Sequence, residues 1–364
     1  MFSPKIYANE ADFSVSALSA VVINASTGSI VYEKSAFAER AMASTTKIMT
    51  ALLTIEAGDL DKKFTVDSFA IQVEGTSMGL QQGDIVTRRA LLYGILLPSG
   101  NDAANAAAVS VSGSMGKFVE LMNNRAQELG LTNTHFANPS GLDANGHYTT
   151  AYDLALLSKT ALENPTFAEI CKCSNAQVEF GNPPYLRRLA NSNKMLWQYD
   201  GCYGVKTGFT DNARRCLVSA AERDGVKLIC VTLNAPDDWE DHRKMLDYGF
   251  TQVTNTEVVL PSPASIPVIG GASDRQQVKL SLKEKIILPL SRDEIKSVSF
   301  KLYTEPFLYA GFEQGKKVGT VEIFLDGELI RKAELVTAEG AEWEEEELNF
   351  FEKIFKFLSL FFFG

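Results

Sequence analysis

At 364 residues, with 45% hydrophobic content, the chain is long enough for two domains and ordinary in composition for a globular protein. Its formal net charge of −10 argues against a nucleic-acid binder, and part of that charge is concentrated in Glu342 and in Glu344 to Glu347. No uninterrupted apolar run approaches the ~20 residues needed to span a bilayer.

Residues 1–15 form an N-terminal segment without the apolar core of a complete signal peptide. Ile6-Tyr7-Ala8 reads as the tail of a removed signal or as an artificial junction. Two β-rich runs, 19–24 and 29–34, are joined by the hairpin signal Ala25-Ser26-Thr27-Gly28. Then comes Ser44-Thr45-Thr46-Lys47, followed by Ile48, Ala51, Leu52 and Ile55 at helical spacing, which predicts a buried helix ending near Gly58. Ser44 and Lys47 lie one turn apart on one face of that helix. A serine becomes a useful nucleophile when a base lies within hydrogen-bond reach. A lysine is such a base only where burial or a neighbouring cation favours its neutral form. Alone, the pair is more often a capping serine beside a surface lysine.

Gly83-Asp84 marks a turn, and a helix over 90–97 is cut by Pro98. The cut places Ser99-Gly100-Asn101 in a loop, with Asp102 opening a second helix toward Ala108. A further amphipathic helix covers 118–129. The polar turn 138–143 precedes Thr149-Thr150-Ala151-Tyr152-Asp153, whose aspartate reads as the cap of a helix running to about Leu162. Runs at 205–209, 216–221 and 226–233 predict strands, the last of them buried, and 243–250 a closing helix. Pro261, Pro263, Pro267 and Gly270-Gly271 mark a linker, 256–272. Short alternating runs at 278–282, 286–290, 298–303, 318–325 and 329–336 then predict a small all-β domain, 273–340, with a hairpin turn at Asp326-Gly327.

The tail, 341–364, combines an acidic spacer with an apolar stripe of Leu348, Phe351, Ile354, Phe355, Leu358 and Phe362. That pattern predicts an amphipathic helix lying at a membrane surface, with packing on its own protein as the alternative. The odd cysteine count (Cys171, Cys173, Cys202, Cys216, Cys230) suggests no disulfide framework. With His135, His147 and His242 scattered along the chain, no metal and no cofactor is expected.

Three motifs in this order carry a resemblance. Ala43-Ser44-Thr45-Thr46-Lys47-Ile48, Pro98-Ser99-Gly100-Asn101-Asp102 and Lys206-Thr207-Gly208-Phe209-Thr210 match the set found in β-lactamases and penicillin-binding proteins. Over roughly residues 16–340 the chain resembles the D-alanyl-D-alanine carboxypeptidases, the low-molecular-mass penicillin-binding proteins. The resemblance implies an α/β (α+β) penicillin-binding, β-lactamase-like transpeptidase fold at 16–255 and a small all-β module after it. It also implies a serine peptidase that removes the terminal D-alanine from peptidoglycan stem pentapeptides, with β-lactam antibiotics as covalent inhibitors. In that scheme Ser44 attacks the carbonyl, Lys47 takes its proton, and the charge of Lys206 depresses the pKa of Lys47. Ser99 relays a proton to the leaving amine, Asn101 holds the substrate amide, and Lys206 with Thr207 holds the free carboxylate. The N–H groups of Ser44 and Phe209 form the oxyanion hole. Gly208 lets the substrate run antiparallel beside the strand. Such enzymes act outside the cytoplasm, here on the outer face of the bacterial cell membrane through the tail helix.

One departure is Ala213-Arg214, where many members have Ala-Gly. Three rival readings are a DD-endopeptidase, a class A-like β-lactamase and an inactive wall-binding protein. The Glu345-x-x-Leu348-Asn349 pattern that would favour a lactamase falls after Lys206 instead of before it.

Overall fold

The computed structural model describes residues 12–270 and 276–343, so the tail stripe from Leu348 to Phe362 and most of the N-terminal segment lie outside the described residues. The chain divides into two compact units, 1–255 with 289–293, and 256–288 with 294–364.

In the first unit β1 (Ser19–Asn24) and β2 (Ile30–Lys34) precede α1 (Lys47–Glu56). A short hairpin of β3 (Lys63–Thr65) and β4 (Ile85–Thr87) leads into α2 (Arg88–Leu96), α3 (Asn101–Ser112) and α4 (Met115–Glu128). Next come α5 (Ala151–Glu163), α6 (Pro165–Cys171), the hairpin β5 (Asn175–Gly181) and β6 (Pro184–Ala190), and the short α7 (Met195–Gln198). Strands β7 (Cys202–Thr210), β8 (Arg214–Arg223) and β9 (Val226–Leu233) return to the main sheet before α8 (Asp238–Gln252) and β10 (Val253–Glu257).

The main sheet is antiparallel, in the order β2-β1-β9-β8-β7. Successive residues of a strand point to opposite faces. Val21, Ile23, Ile229 and Val231 therefore pack into the core with α1 to α5, while Ala20, Val22, Leu228 and Cys230 pack into a second core under α8. Covered on both faces, β9 is wholly apolar-buried apart from Lys227 and Thr232, as its sequence suggests. β7 lies at the sheet's edge, paired only with β8 within that sheet.

Three local expectations are corrected. The helix after Gly100 begins at Asn101 and runs to Ser112, so the third residue of the second motif sits on a rigid helix. Asp153 does not cap α5. Thr150 does, its hydroxyl accepting from the Asp153 N–H, while the Asp153 carboxylate accepts from the Asn133 N–H and the Thr134 hydroxyl. The stretch read as linker contains a strand, Ser265–Ile269, despite Pro267. Val268 N–H donates to Gln276, so the proline nitrogen one residue earlier faces the other side of the strand, where parallel pairing begins only at Val268.

That strand is β11 of the second unit. With β12 (Gln277–Leu282), β13 (Ile287–Ser291), α9 (Arg292–Lys296), β14 (Val298–Thr304), β15 (Leu308–Tyr309), β16 (Lys317–Leu325) and β17 (Glu328–Thr337), it completes the described elements. A six-stranded sheet in the order β14-β16-β17-β12-β11-β15 covers an apolar core around Val278, Val318, Val321 and Leu335.

Candidate active site

Ser44 lies in a 3₁₀ turn, Ala43–Thr46, that feeds into α1. The turn departs from the continuous helix expected because Ala43 adopts φ +48°, a left-handed conformation that costs a non-glycine residue ~1–2 kcal/mol. Surrounding contacts hold it there. Thr45 and Thr46 hydroxyls donate back to the carbonyls of Met42 (2.6 Å) and Ala43 (2.8 Å). Gly141, at φ +85°, passes so close that a Cβ there would lie 2.0 Å from the Ala43 oxygen. A Cβ on Gly208 would lie 3.0 Å from the Ser44 nitrogen, so the missing side chain lets β7 seat directly against the serine turn.

His147 supports the same turn. Its Nδ1 accepts from the Ala137 N–H (2.9 Å), which leaves Nε2 to donate to Thr46 Oγ1 at 2.7 Å. Burial pushes the imidazole pKa down to about 4, which fits a neutral ring with one donor and one acceptor.

Lys47 is fully buried, and its Nζ lies 3.0 Å from Ser44 Oγ, 2.6 Å from Asn101 Oδ1 and 2.6 Å from the Ser140 carbonyl. Burial, and then the charge of Lys206, hold its pKa well below the usual lysine range. Lys206, on β7, is 1% exposed, and burial brings its pKa down to about 7. Its Nζ donates to the Thr207 carbonyl at 2.9 Å. Ser99 stands at φ +66° in the bend between α2 and α3, with its hydroxyl buried and unpartnered among the described residues.

Asn101 has a second task. Its Nδ2 donates to the Glu74 carbonyl (2.7 Å) and its backbone N–H to Thr76 (2.7 Å), fixing the loop above the second motif. The buried Asp102 carboxylate completes that anchorage, accepting from the N–H groups of Met78, Gly79, Leu80 and Ala103 and from the Ser77 hydroxyl.

On the opposite wall Thr207 Oγ1 pairs with Ser192 Oγ at 2.8 Å, and Phe209 is 59% exposed at the rim. Ser44, Ser99, Asn101, Thr207, Gly208 and Phe209 thus line one open cleft of about 510 Å³, with Lys47 and Lys206 buried behind them. Arg215 also reaches the cleft, held by Asp238 at 2.8 Å.

Asp102, His147 and Ser140 were missed in the sequence. Ser140 acts through its backbone and His147 through a turn distant in sequence, so no local pattern marks them. Asp102 stands in the second motif, but its anchoring of residues 77–80 joins segments more than twenty residues apart. Among the described residues no group of three or more His, Cys, Asp or Glu is placed to hold a metal ion. The cysteines are free, and burial pushes Cys216 up to about 12.

Residues 5–237 match the family model described as D-alanyl-D-alanine carboxypeptidase, and residues 255–342 that of the penicillin-binding protein 5 C-terminal domain. The chain is 32% identical over 359 residues to the D-alanyl-D-alanine carboxypeptidase DacF of Bacillus subtilis, covering 93% of this chain and 90% of that one. It is 31% identical to DacC of Escherichia coli, covering 99% and 92%. The crystal structure of the Streptomyces K15 DD-transpeptidase superposes with a TM-score of 0.63 at 34% identity, over 66% of this chain and 100% of that one. DacD from Francisella tularensis superposes with a TM-score of 0.64 at 27% identity, over 94% and 98%.

Proposed function

Because the chain belongs to the D-alanyl-D-alanine carboxypeptidase family of serine peptidases, which act on peptidoglycan stem peptides and bind β-lactams, we propose that it releases the terminal D-alanine through an acyl-enzyme on Ser44. The observation that supports this most directly is the placement of Lys47 Nζ against Ser44 Oγ in a buried setting that favours the neutral amine.

Lys47 accepts the hydroxyl proton as Ser44 Oγ bonds to the carbonyl carbon of the penultimate D-alanine. The carbonyl oxygen becomes an oxyanion, met by the N–H groups of Ser44 and Phe209; losing one such donor typically costs ~3 kcal/mol of transition-state stabilisation. As the C–N bond breaks, the proton passes from Lys47 through the Ser99 hydroxyl to the leaving nitrogen. Water then attacks the ester, Lys47 takes the water's proton, and Ser44 Oγ leaves with a proton. Lys206 and Thr207 hold the substrate's C-terminal carboxylate. Asn101 keeps one Nδ2 hydrogen beyond its bond to Glu74, and that hydrogen serves the substrate amide. The edge position of β7 suits a substrate that adds as an extended strand.

Ser44→Ala should abolish both D-alanine release and covalent labelling by a fluorescent penicillin. Labelling that survived in a folded variant would require another nucleophile.

We also propose the boundaries 16–255 for the peptidase domain and 273–340 for the β domain, with the strand Ser265–Ile269 joining the latter's sheet. Action outside the cytoplasm follows from the peptidoglycan substrate. Among the described residues no helix is long and apolar enough to cross a membrane. The stripe at 348–362 and Lys353 and Lys356 support surface attachment through the tail. Truncation after Glu347 should therefore release the chain from anionic vesicles, and equal binding by both forms would refute the anchor.

A further inference from the structure

The second unit carries an apolar surface at one end of its sheet. Side chains alternate along β11 and β15, and Val268 and Leu308 point inward and are buried. The next residues, Ile269 and Tyr309, are paired in register and face outward side by side. A strand with one solvated face ordinarily carries polar residues there. Phe307 extends the same surface, its ring 5.4 Å from that of Tyr309 in an edge-to-face pair. Trp343 adjoins it on the Gly270 side: a Cβ on Gly270 would lie 2.3 Å from its ring, so the indole covers the backbone next to Ile269. Backbone bonds fix the frame, from the Ala310 N–H to the Ile269 carbonyl and from the Gly311 N–H to that of Ala341. The four side chains are 38–61% exposed, and three of them are aromatic. Single apolar residues on a surface need no explanation, but a contiguous aromatic group points to something that covers it.

The onward course of the sequence indicates the partner. Trp343 belongs to the patch, and the apolar stripe of the tail opens five residues later, at Leu348. Five residues reach at most about 18 Å. With the stripe in a lipid interface, the patch is therefore held within that distance of the same lipid. Tyrosine and tryptophan, apolar bodies with a polar tip, favour the headgroup level of a bilayer. Charge does not carry the contact, because Glu342 and Glu344 flank Trp343. We propose that Ile269, Phe307, Tyr309 and Trp343 form a second membrane contact, an aromatic footing of the β domain in the headgroup region. The proposal rests on the tail anchor proposed above. Once the tail is bound, the patch meets lipid at a high effective concentration, so even a weak partition raises the overall affinity.

The test uses the full chain and sedimentation with phosphatidylcholine vesicles that contain phosphatidylglycerol. Phe307→Ser combined with Tyr309→Ser should weaken binding about tenfold, because two rings no longer leave water. Tyr309→Phe keeps the ring and should bind as the wild type does. Phe69→Ser, which removes a more exposed ring from the first unit, should also leave binding unchanged. Brominated lipid should quench tryptophan fluorescence in the wild type, and Trp343→Phe should lose that quenching, since Trp197 and Trp239 belong to the first unit. Unaltered or tighter binding by the double variant would overturn the footing, the tighter case showing that the stripe packs on the patch. Quenching that survives Trp343→Phe would overturn it as well, and both results leave the carboxypeptidase reading standing. Equal binding by the full chain and the form truncated after Glu347 would instead overturn the tail anchor, and the footing with it.

Discussion

Three oxygens surround Lys47 Nζ, and the protonation of that nitrogen decides what they do. An ammonium donates to all three. A neutral amine donates to Asn101 and Ser140 and turns its lone pair to the Ser44 hydroxyl, which is the arrangement acylation requires. In the proposed mechanism Lys206 has the opposite requirement, since it must be charged to hold a carboxylate, and burial brings its pKa down to about 7. The rate constant kcat/KM, which reports the free enzyme, should therefore rise as Lys47 deprotonates and fall above about pH 7 as Lys206 loses its proton. Arginine stays charged throughout that range. Lys206→Arg should accordingly keep the acid limb and lose the alkaline one in a pH series up to about 9, and an unchanged alkaline limb would assign it to another group. The motif residues themselves were readable because each is a side chain at a fixed spacing. The Ser140 carbonyl was not, because a backbone oxygen has no signature in sequence. Nor did Asn101 announce that half of its amide is committed to the loop at Glu74.

At the scale of elements, the hairpin between β7 and β8 shows what the departure just after the third motif costs. Arg214, which stands where the resemblance implies a glycine, adopts φ +58°. The left-handed conformation costs an L-residue ~1–2 kcal/mol, partly offset by the backbone entropy a glycine would lose on folding. Arg214→Gly should raise the unfolding free energy by about 0.5–1 kcal/mol in urea denaturation. A loss of stability would mean that the arginine side chain contributes more than its backbone costs. Most elements of the main sheet were legible, because the β-rich runs of β1 and β2 and the apolar run of β9 reflect burial directly. The β5–β6 hairpin was not. Its outer face carries Gln177, Glu179, Leu186 and Arg188, its packed face carries Arg187 against Phe180, and Asn182-Pro183-Pro184 masks the turn, so the alternation never stands out. Ser265–Ile269 was hidden by its proline, which reads as a break unless the neighbouring strand's register is known.

For the molecule as a whole, two buried imidazoles set a limit on acid tolerance. His242 on α8 is wholly buried between Thr232 and Ser219, and burial lowers its pKa to about 3; that of His147 is about 4. Both native values lie below the ordinary value of 6.5, so below that pH the unfolded chain binds protons that the native fold refuses. Stability carries no such penalty above about pH 6.5 and should fall as pH drops toward 4, by up to ~1.4 kcal/mol per pH unit for each histidine. His242→Gln should remove one of these two contributions from the slope of unfolding free energy against pH. A slope equal to that of the wild type would show that carboxylates govern acid unfolding instead.

With the proposed carboxylate-binding role, the half-charged state of Lys206 near neutrality also makes ligand capture a proton-coupled event. A carboxylate arriving beside Thr207 stabilises the ammonium and lifts its pKa, so the fraction of molecules that were neutral must draw a proton from the medium. At pH 7 that amounts to about half a proton per ligand bound. The apparent heat of capture then contains the ionisation heat of whatever buffer supplies the proton, and the cleft binds acids more tightly as its surroundings acidify.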